Sequence, residues 1–280
     1  MSITVLTAVL FGALLHAAWN VFIRAASDKS LNTVLVAVGA GALTACFLPF
    51  IPAPAAASWP YLMASVLIHV VYFIFVARVY RNTDLSFAYP IMRGSAPALS
   101  AVIVLVLVHE SPSAGGWLGI MLVSLGIFIL AGDSWRSGTL RLSPAMLALA
   151  NAGVIVLYTL VDGVGARLSG HPAGYTGWLF FLTAIPLVLM YLAKRGIRSA
   201  EGLWSNRGKG LLGGACSVGS YGLALWAMTQ APIALVAALR ETSVVFGTLI
   251  AAGFLREQVT PLRYASVAVV TVGAIAIKMS

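Results

Sequence analysis

A chain of 280 residues that is 60% hydrophobic and only 9% charged has too little polar surface to cover a globule in water, where a domain carries about 25% charged residues. Most of its solvent is therefore lipid, in keeping with a mean hydropathy of +0.97. The formal net charge of +9 is spread over short loops, so it is a signal of membrane topology and not the footprint of a nucleic-acid groove.

A helix needs about 20 apolar residues to cross a bilayer. Runs of that kind fall at 3–24, 31–51, 59–80, 85–108, 114–132, 144–166, 172–193, 210–229, 233–254 and 260–278. The first lacks a basic leader and contains His16, Trp19 and Asn20, so it reads as a retained helix and not as a signal peptide. The links are short and polar or proline-bearing, as at 26–29, 52–58, 110–113 and 194–209. The alternating pattern of a transmembrane barrel is absent, which predicts an all-α integral membrane protein of ten transmembrane helices.

A shift of 147 residues (240 − 93) aligns residues 62–131 with 209–278 without a gap. Identities are few, but they include rare residues: Arg93 falls on Arg240, Glu110 on Glu257 and Gly126 on Gly273. Two five-helix repeats are expected, 1–137 and 138–280, meeting near residues 133–143. Five is odd, so the second repeat enters from the opposite side. Inverted repeats of this kind place a central cavity at the membrane midplane.

Several polar residues lie inside the spans. His16, Trp19 and Asn20 share one face of the first helix, and His69, Tyr72 and Phe73 repeat that spacing on the third. Tyr158 and Asp162 share a face of the sixth, and Tyr221 lies on the eighth with Ser217, Ser220 and Trp226. Aromatic walls with a few polar groups describe a small-molecule pocket; the alternative for each histidine is a hydrogen-bonded core residue.

Within AYPIMRGSAP (88–97), Tyr89 and Arg93 share a face, and Pro90 and Pro97 bracket the arginine as a candidate hinge. The ninth run has no internal proline, so bending is expected in the fourth helix and not in its counterpart. Arg93 and Arg240 are expected to face the cavity, one meeting a substrate carboxylate and the other a protein carboxylate such as Asp162. Pairing with Asp162 or Glu241 is the purely structural alternative, and Glu110 and Glu257 are expected to fix loops. Cys46 and Cys216 read as reduced core residues. No metal-ligand cluster and no cofactor motif is visible, and Gly115/Gly119 and Gly210/Gly214 have the spacing of close helix packing.

The five-plus-five plan, the arginines of the fourth and ninth helices, and the Glu at their exits (HES and REQ) resemble the EamA-type branch of the drug/metabolite transporter superfamily. The resemblance implies a multi-pass carrier of the bacterial inner membrane that exports amino acids or related metabolites. The aromatic amino-acid exporters are the nearest structural comparison. Its partners would be a small-molecule substrate and the lipid bilayer, with no nucleic acid, and it would act as a monomer or weak homodimer. A broad drug or quaternary-amine exporter is the alternative, disfavoured by two intramembrane arginines. A membrane-embedded enzyme is a reading of another class, and no nucleophile–base pair or phosphate loop supports it. Thirteen Lys and Arg residues lie on odd-numbered loops, against Arg167 alone on the even ones. This predicts odd loops in the cytoplasm and both termini outside, whereas the family resemblance favours termini inside.

Overall fold

The computed structural model describes residues 1–24, 28–82, 85–135, 142–253 and 260–280. Helix side chains at 21–24, 29–30, 76–90, 131–135, 142–144 and 251 lie outside the described set. The first half comprises α1 (Ile3–Arg24), α2 (Lys29–Phe47), α3 (Trp59–Asn82), α4 (Leu85–Leu107) and α5 (Ala114–Trp135). The second comprises α6 (Leu142–Leu168), α7 (Pro172–Arg195), a short linking helix α8 (Ala200–Ser205), α9 (Arg207–Gln230), the pair α10 (Ile233–Arg240) and α11 (Ser243–Gly253), and α12 (Pro261–Met279). Among the described residues, eight helical stretches are long and apolar enough to cross a bilayer, and two more, Ile91–Leu107 and Ala114–Leu130, are apolar but shorter. The expected all-helical ten-span fold is therefore the fold observed. In lipid every backbone donor needs an internal partner, which helices supply along their whole length. Their ends use local chemistry: the Asp28 carboxylate accepts from the Leu31 amide at 2.9 Å, and Pro172 and Pro261 occupy first turns where an amide would go unused.

Packing partners exchange between the halves. α3 packs on α6, and its counterpart α9 packs on α1; α2 packs on α9, and α7 on α3. The pairs α2–α7 and α5–α12 map onto themselves. An approximate two-fold axis between the halves produces this exchange, and five spans per half make the repeat inverted. The expected junction lies largely in residues 136–141, outside the described set.

Glycines set the closest crossings, because lipid supplies no hydrophobic drive between helices and association depends on fit. Gly210 and Gly214 seat α9 directly on the α2 backbone at Leu35, Gly39 and Ala40. Where α5 meets α12, Gly119 faces Gly273 and Ile277, and the Ser266 hydroxyl donates to the Gly126 carbonyl at 2.7 Å.

The helix interruption falls in the ninth span and not at the candidate hinge. α4 continues unbroken from Leu85 to Leu107 through both of its prolines, while the proline-free ninth span is interrupted between Arg240 and Ser243. There the amides of Glu241, Thr242, Val244 and Val245 bond three residues back. The Thr242 hydroxyl also donates to the Leu239 carbonyl at 2.6 Å. A hydroxyl bonding to nearby carbonyls competes with the regular ladder, and the tightened turn needs no proline.

A methyl added at Gly119 would stand 2.5 Å from Ile277 Cγ1 and 2.7 Å from the Gly273 carbonyl oxygen. Gly119→Ala should lower stability by about 1–3 kcal/mol through overpacking. At Gly153 a methyl meets nothing within 4 Å, so Gly153→Ala should be neutral or mildly stabilising. Thermal unfolding of purified protein in detergent measures both; equal midpoints would remove the α5–α12 crossing from the account of stability.

Candidate functional site

The break in the ninth span carries the charges. Arg240 ends α10, Glu241 occupies the turn, and Arg93 of α4 reaches them from the other half, with its Nε 2.9 Å from Glu241 Oε2. Both side chains are buried, at 7% and 6% exposure. The pair is close but not aligned as a hydrogen bond through these two atoms. On its other side the Arg93 guanidinium donates to His16 Nε2 at 3.4 Å, so that nitrogen is the acceptor and the imidazole is neutral in this arrangement. Glu241, and not Asp162, is thus the protein carboxylate that Arg93 meets.

Arg240 is half-buried and makes no ion pair with any described residue. Its guanidinium carbon lies 4.8 Å from the centroid of the Tyr221 ring, a cation–π contact. The Tyr221 hydroxyl donates in turn to Asp162 Oδ2, and the Tyr175 hydroxyl donates to Oδ1 at 2.9 Å. Asp162 is fully enclosed, and Ser65 and His69 of α3 stand beside it. No described cation comes within ion-pair distance of it. Two unlike charges therefore stand on either side of one tyrosine.

Aromatic rings complete the wall. His69 stacks on Tyr158 at 4.6 Å and bonds through Nδ1 to Ser65; Tyr72 meets Tyr158 edge-on at 5.7 Å, and Tyr158 lies 6.3 Å from Tyr221. Trp19 packs edge-on against His16 at 5.1 Å, and its buried indole N–H has no hydrogen-bond partner among the described residues. Asn20 turns away from this function, donating to the His16 carbonyl of its own helix at 2.8 Å. The side chains of Tyr89 and Pro90, and the whole of Glu257, lie outside the described residues. Pro97 lines the small cavity bounded by Arg93, Tyr158, Thr159, Arg240 and Glu241. That cavity has room for about one water, so the site stands closed.

Sequence reasoning missed Tyr175. It lies on the far side of the α6–α7 hairpin, and folding that hairpin on paper about residues 169–171 would have set it near Asp162. Gly165 makes the approach possible, because a Cβ there would stand 2.5 Å from the Tyr175 hydroxyl. Arg167 was counted only as a loop charge. It pairs with Glu110 and donates to the carbonyls of Met228 at 2.7 Å and Ala231 at 3.0 Å, while Glu110 also accepts from the Ile233 amide at 3.2 Å. This cluster closes the even-loop end above the site. A larger cleft of about 510 Å³ lies between α2, α7 and α9, but its walls (Phe47, Leu48, Pro172, Val218 and Trp226 among them) are almost wholly apolar. It has none of the charges described above. Among the described residues no group of three His, Cys, Asp or Glu could hold a metal ion.

Residues 142–279 match the EamA-like transporter family. The match covers the second five-span half, including Asp162, Tyr175, Tyr221, Arg240 and Glu241. No curated protein matches the sequence. One solved crystal structure of a protein is similar over 98% of both chains, with a TM-score of 0.77 and 16% identity, a likeness of fold alone. The chain is a multi-pass membrane protein whose second half is similar to that family.

Removing one partner of a buried ion pair leaves a charge without compensation, at a cost of about 3–5 kcal/mol. Glu241→Gln should therefore sharply reduce folded yield, and the double change Arg93→Met with Glu241→Met should recover much of it. Fluorescence-detected size exclusion reads both. A double variant no better than the worse single one would show that the two side chains do not act as a pair.

Proposed function

We propose that the chain is a secondary carrier for small metabolites bearing both a carboxylate and an ammonium group, amino acids foremost, exported across the bacterial inner membrane by alternating exposure of the central cavity. The observation that carries the reading is Arg240. A guanidinium at the break of a discontinuous helix, resting on Tyr221 and without an ion pair to any described carboxylate, suits a substrate carboxylate. Broken helices at the midplane are the usual location of carrier sites. Arg93 has Glu241 as partner, so the substrate role expected of one arginine passes to its counterpart. Asp162 among tyrosines suits an ammonium group, and faces of Tyr158, Tyr72 and Tyr221 suit an apolar or aromatic side chain. A purely cationic drug would leave Arg240 unanswered. The match to a transporter family over the second half supports carrier over enzyme.

Counterflow of labelled amino acids into liposomes tests the assignment. Arg240→Gln should raise the apparent KM about 10- to 100-fold, the equivalent of ~1.5–3 kcal/mol for a lost charge-assisted bond. Arg240→Lys should fall between, keeping the charge but losing the two-pronged geometry. Wild-type kinetics in a well-folded Arg240→Gln protein would remove Arg240 from the substrate site.

The orientation proposed from loop charge puts both termini outside. With Cys46 and Cys216 replaced, a single Cys at position 280 should react with an impermeant thiol reagent in intact cells. Labelling only after lysis would reverse the orientation and leave the fold as it is.

A further inference from the structure

The link between α7 and α9 carries a concentration of charge that the central cavity does not use. Residues 194–209 hold five of the chain's 17 Lys and Arg residues (Lys194, Arg195, Arg198, Arg207 and Lys209) against one acid, Glu201. All six are exposed. Lys194 and Arg195 end α7, and Arg207 and Lys209 open α9. Both helices are spans, so these charges stand where hydrocarbon gives way to headgroups. Two of the five have protein partners. Arg195 lies 3.4 Å from Asp28, and Arg207 rests 4.7 Å from the Trp204 ring centroid and donates to the Trp204 carbonyl at 3.1 Å. Lys194, Arg198 and Lys209 make no ion pair with a described residue.

Exposed apolar side chains lie among these cations. Ile197 is 74% exposed, Trp204 71% and Leu212 65%. Tryptophan at the end of a span belongs at headgroup depth, where its ring meets the acyl boundary and its N–H meets water. Cations beside such residues are the composition of a segment that lies in the membrane surface. The link is also held to the bundle. Gly196, at φ +82°, turns the chain out of α7. α8 then packs on the start of α2, with Gly202 against Leu31, and the Arg195–Asp28 contact fastens the end of α7 to the same place.

We propose that residues 194–212 form a docking surface for an anionic phospholipid. Lys194, Arg198 and Lys209 meet its phosphate, and its acyl chains lie along Ile197, Leu211 and Leu212. Charge complementarity selects an anion. The apolar residues select a lipid over a soluble anion, which would engage the cations and leave Ile197 and Trp204 in water. They also favour a lipid over an acidic protein, because Leu211 and Leu212 already belong to the membrane span of α9. A lipid held there bridges the end of α7 and the start of α9, beside the point where both meet α2 of the first half. Binding therefore stabilises the folded chain, and this surface stands apart from the cavity and from the reading of the substrate.

Thermal unfolding of the full chain in a non-ionic detergent, titrated with phosphatidylglycerol or with phosphatidylcholine, reads the binding. Phosphatidylglycerol should raise the midpoint and phosphatidylcholine should not. The rise should shrink as salt goes from about 0.1 to about 1 M, because the screening length falls from about 10 to about 3 Å. The triple change Lys194→Gln, Arg198→Gln and Lys209→Gln should leave the midpoint in detergent alone near that of the wild type. It should raise the half-saturating phosphatidylglycerol concentration by about 10- to 100-fold. Equal effects of the two lipids, an undiminished rise in the triple variant, or the same rise from inorganic phosphate at matched ionic strength each overturn the proposal. Phosphatidylglycerol with a photoreactive headgroup locates the site on the wild type, whatever the yield of the variant. Adducts should fall within residues 194–212, and a lack of adducts there overturns the proposal as well.

Discussion

A charge at bilayer depth must find a partner, and the contact between Arg93 and Glu241 is where this chain meets that constraint. The two residues belong to opposite halves, one on α4 and the other in the break between α10 and α11. Their attraction in a low-dielectric interior pulls the interrupted turn onto α4 and fixes which way it faces. Arg240, next in sequence to Glu241, is then carried to the Tyr221 ring. Of the two pseudo-equivalent arginines, Arg93 thus has Glu241 as its partner and Arg240 has the Tyr221 ring. Without Glu241 at that position, Arg93 and Arg240 would be like charges in one small volume with no anion between them.

The inverted plan makes the halves alike in packing but not in chemistry. α5 and α12 cross through Gly119 and Gly273 in a nearly self-matching contact. Around the cavity the symmetry fails: the continuous α4 contributes one arginine, while the broken span contributes an arginine and a glutamate from adjacent positions. Adjacent residues of a regular helix point in directions about 100° apart and do not share a face. The tightened turn across Glu241–Val245 is what accompanies both side chains into one site.

Much of this was legible from the residues. Ten apolar runs, their odd number per half and the register of Arg93 on Arg240 give the fold, because lipid allows a chain few alternatives. His16, His69, Tyr158, Asp162, Tyr221 and both arginines do gather at the centre, since polar side chains inside spans have nowhere else to go. Illegible were the pairings. Whether Arg93 meets Asp162 or Glu241 depends on helix rotation and tilt, which spacing along one helix does not encode. Proline is a strong sequence signal for a bend, yet α4 absorbs Pro97 without a break, and the interruption falls at a Thr–Ser step with no such signal. Tyr175 needed the hairpin to be closed before it came near anything.

The even-loop cluster bears on the same site through α10. Arg167 caps carbonyls at the end of α9, and Glu110 caps the first amide of α10 at Ile233. Glu110 can reach across because His109, at φ +59°, turns the chain sharply after α4, a left-handed conformation that costs a non-glycine residue about 1–2 kcal/mol. From Ile233 to Leu239 every side chain of α10 is buried, so this two-turn helix behaves as a stiff rod with the Glu110 cap at one end and Arg240 at the other. Ile233, whose amide donates to Glu110, and Arg240, which lies on the Tyr221 ring, are thus the two ends of one buried helix.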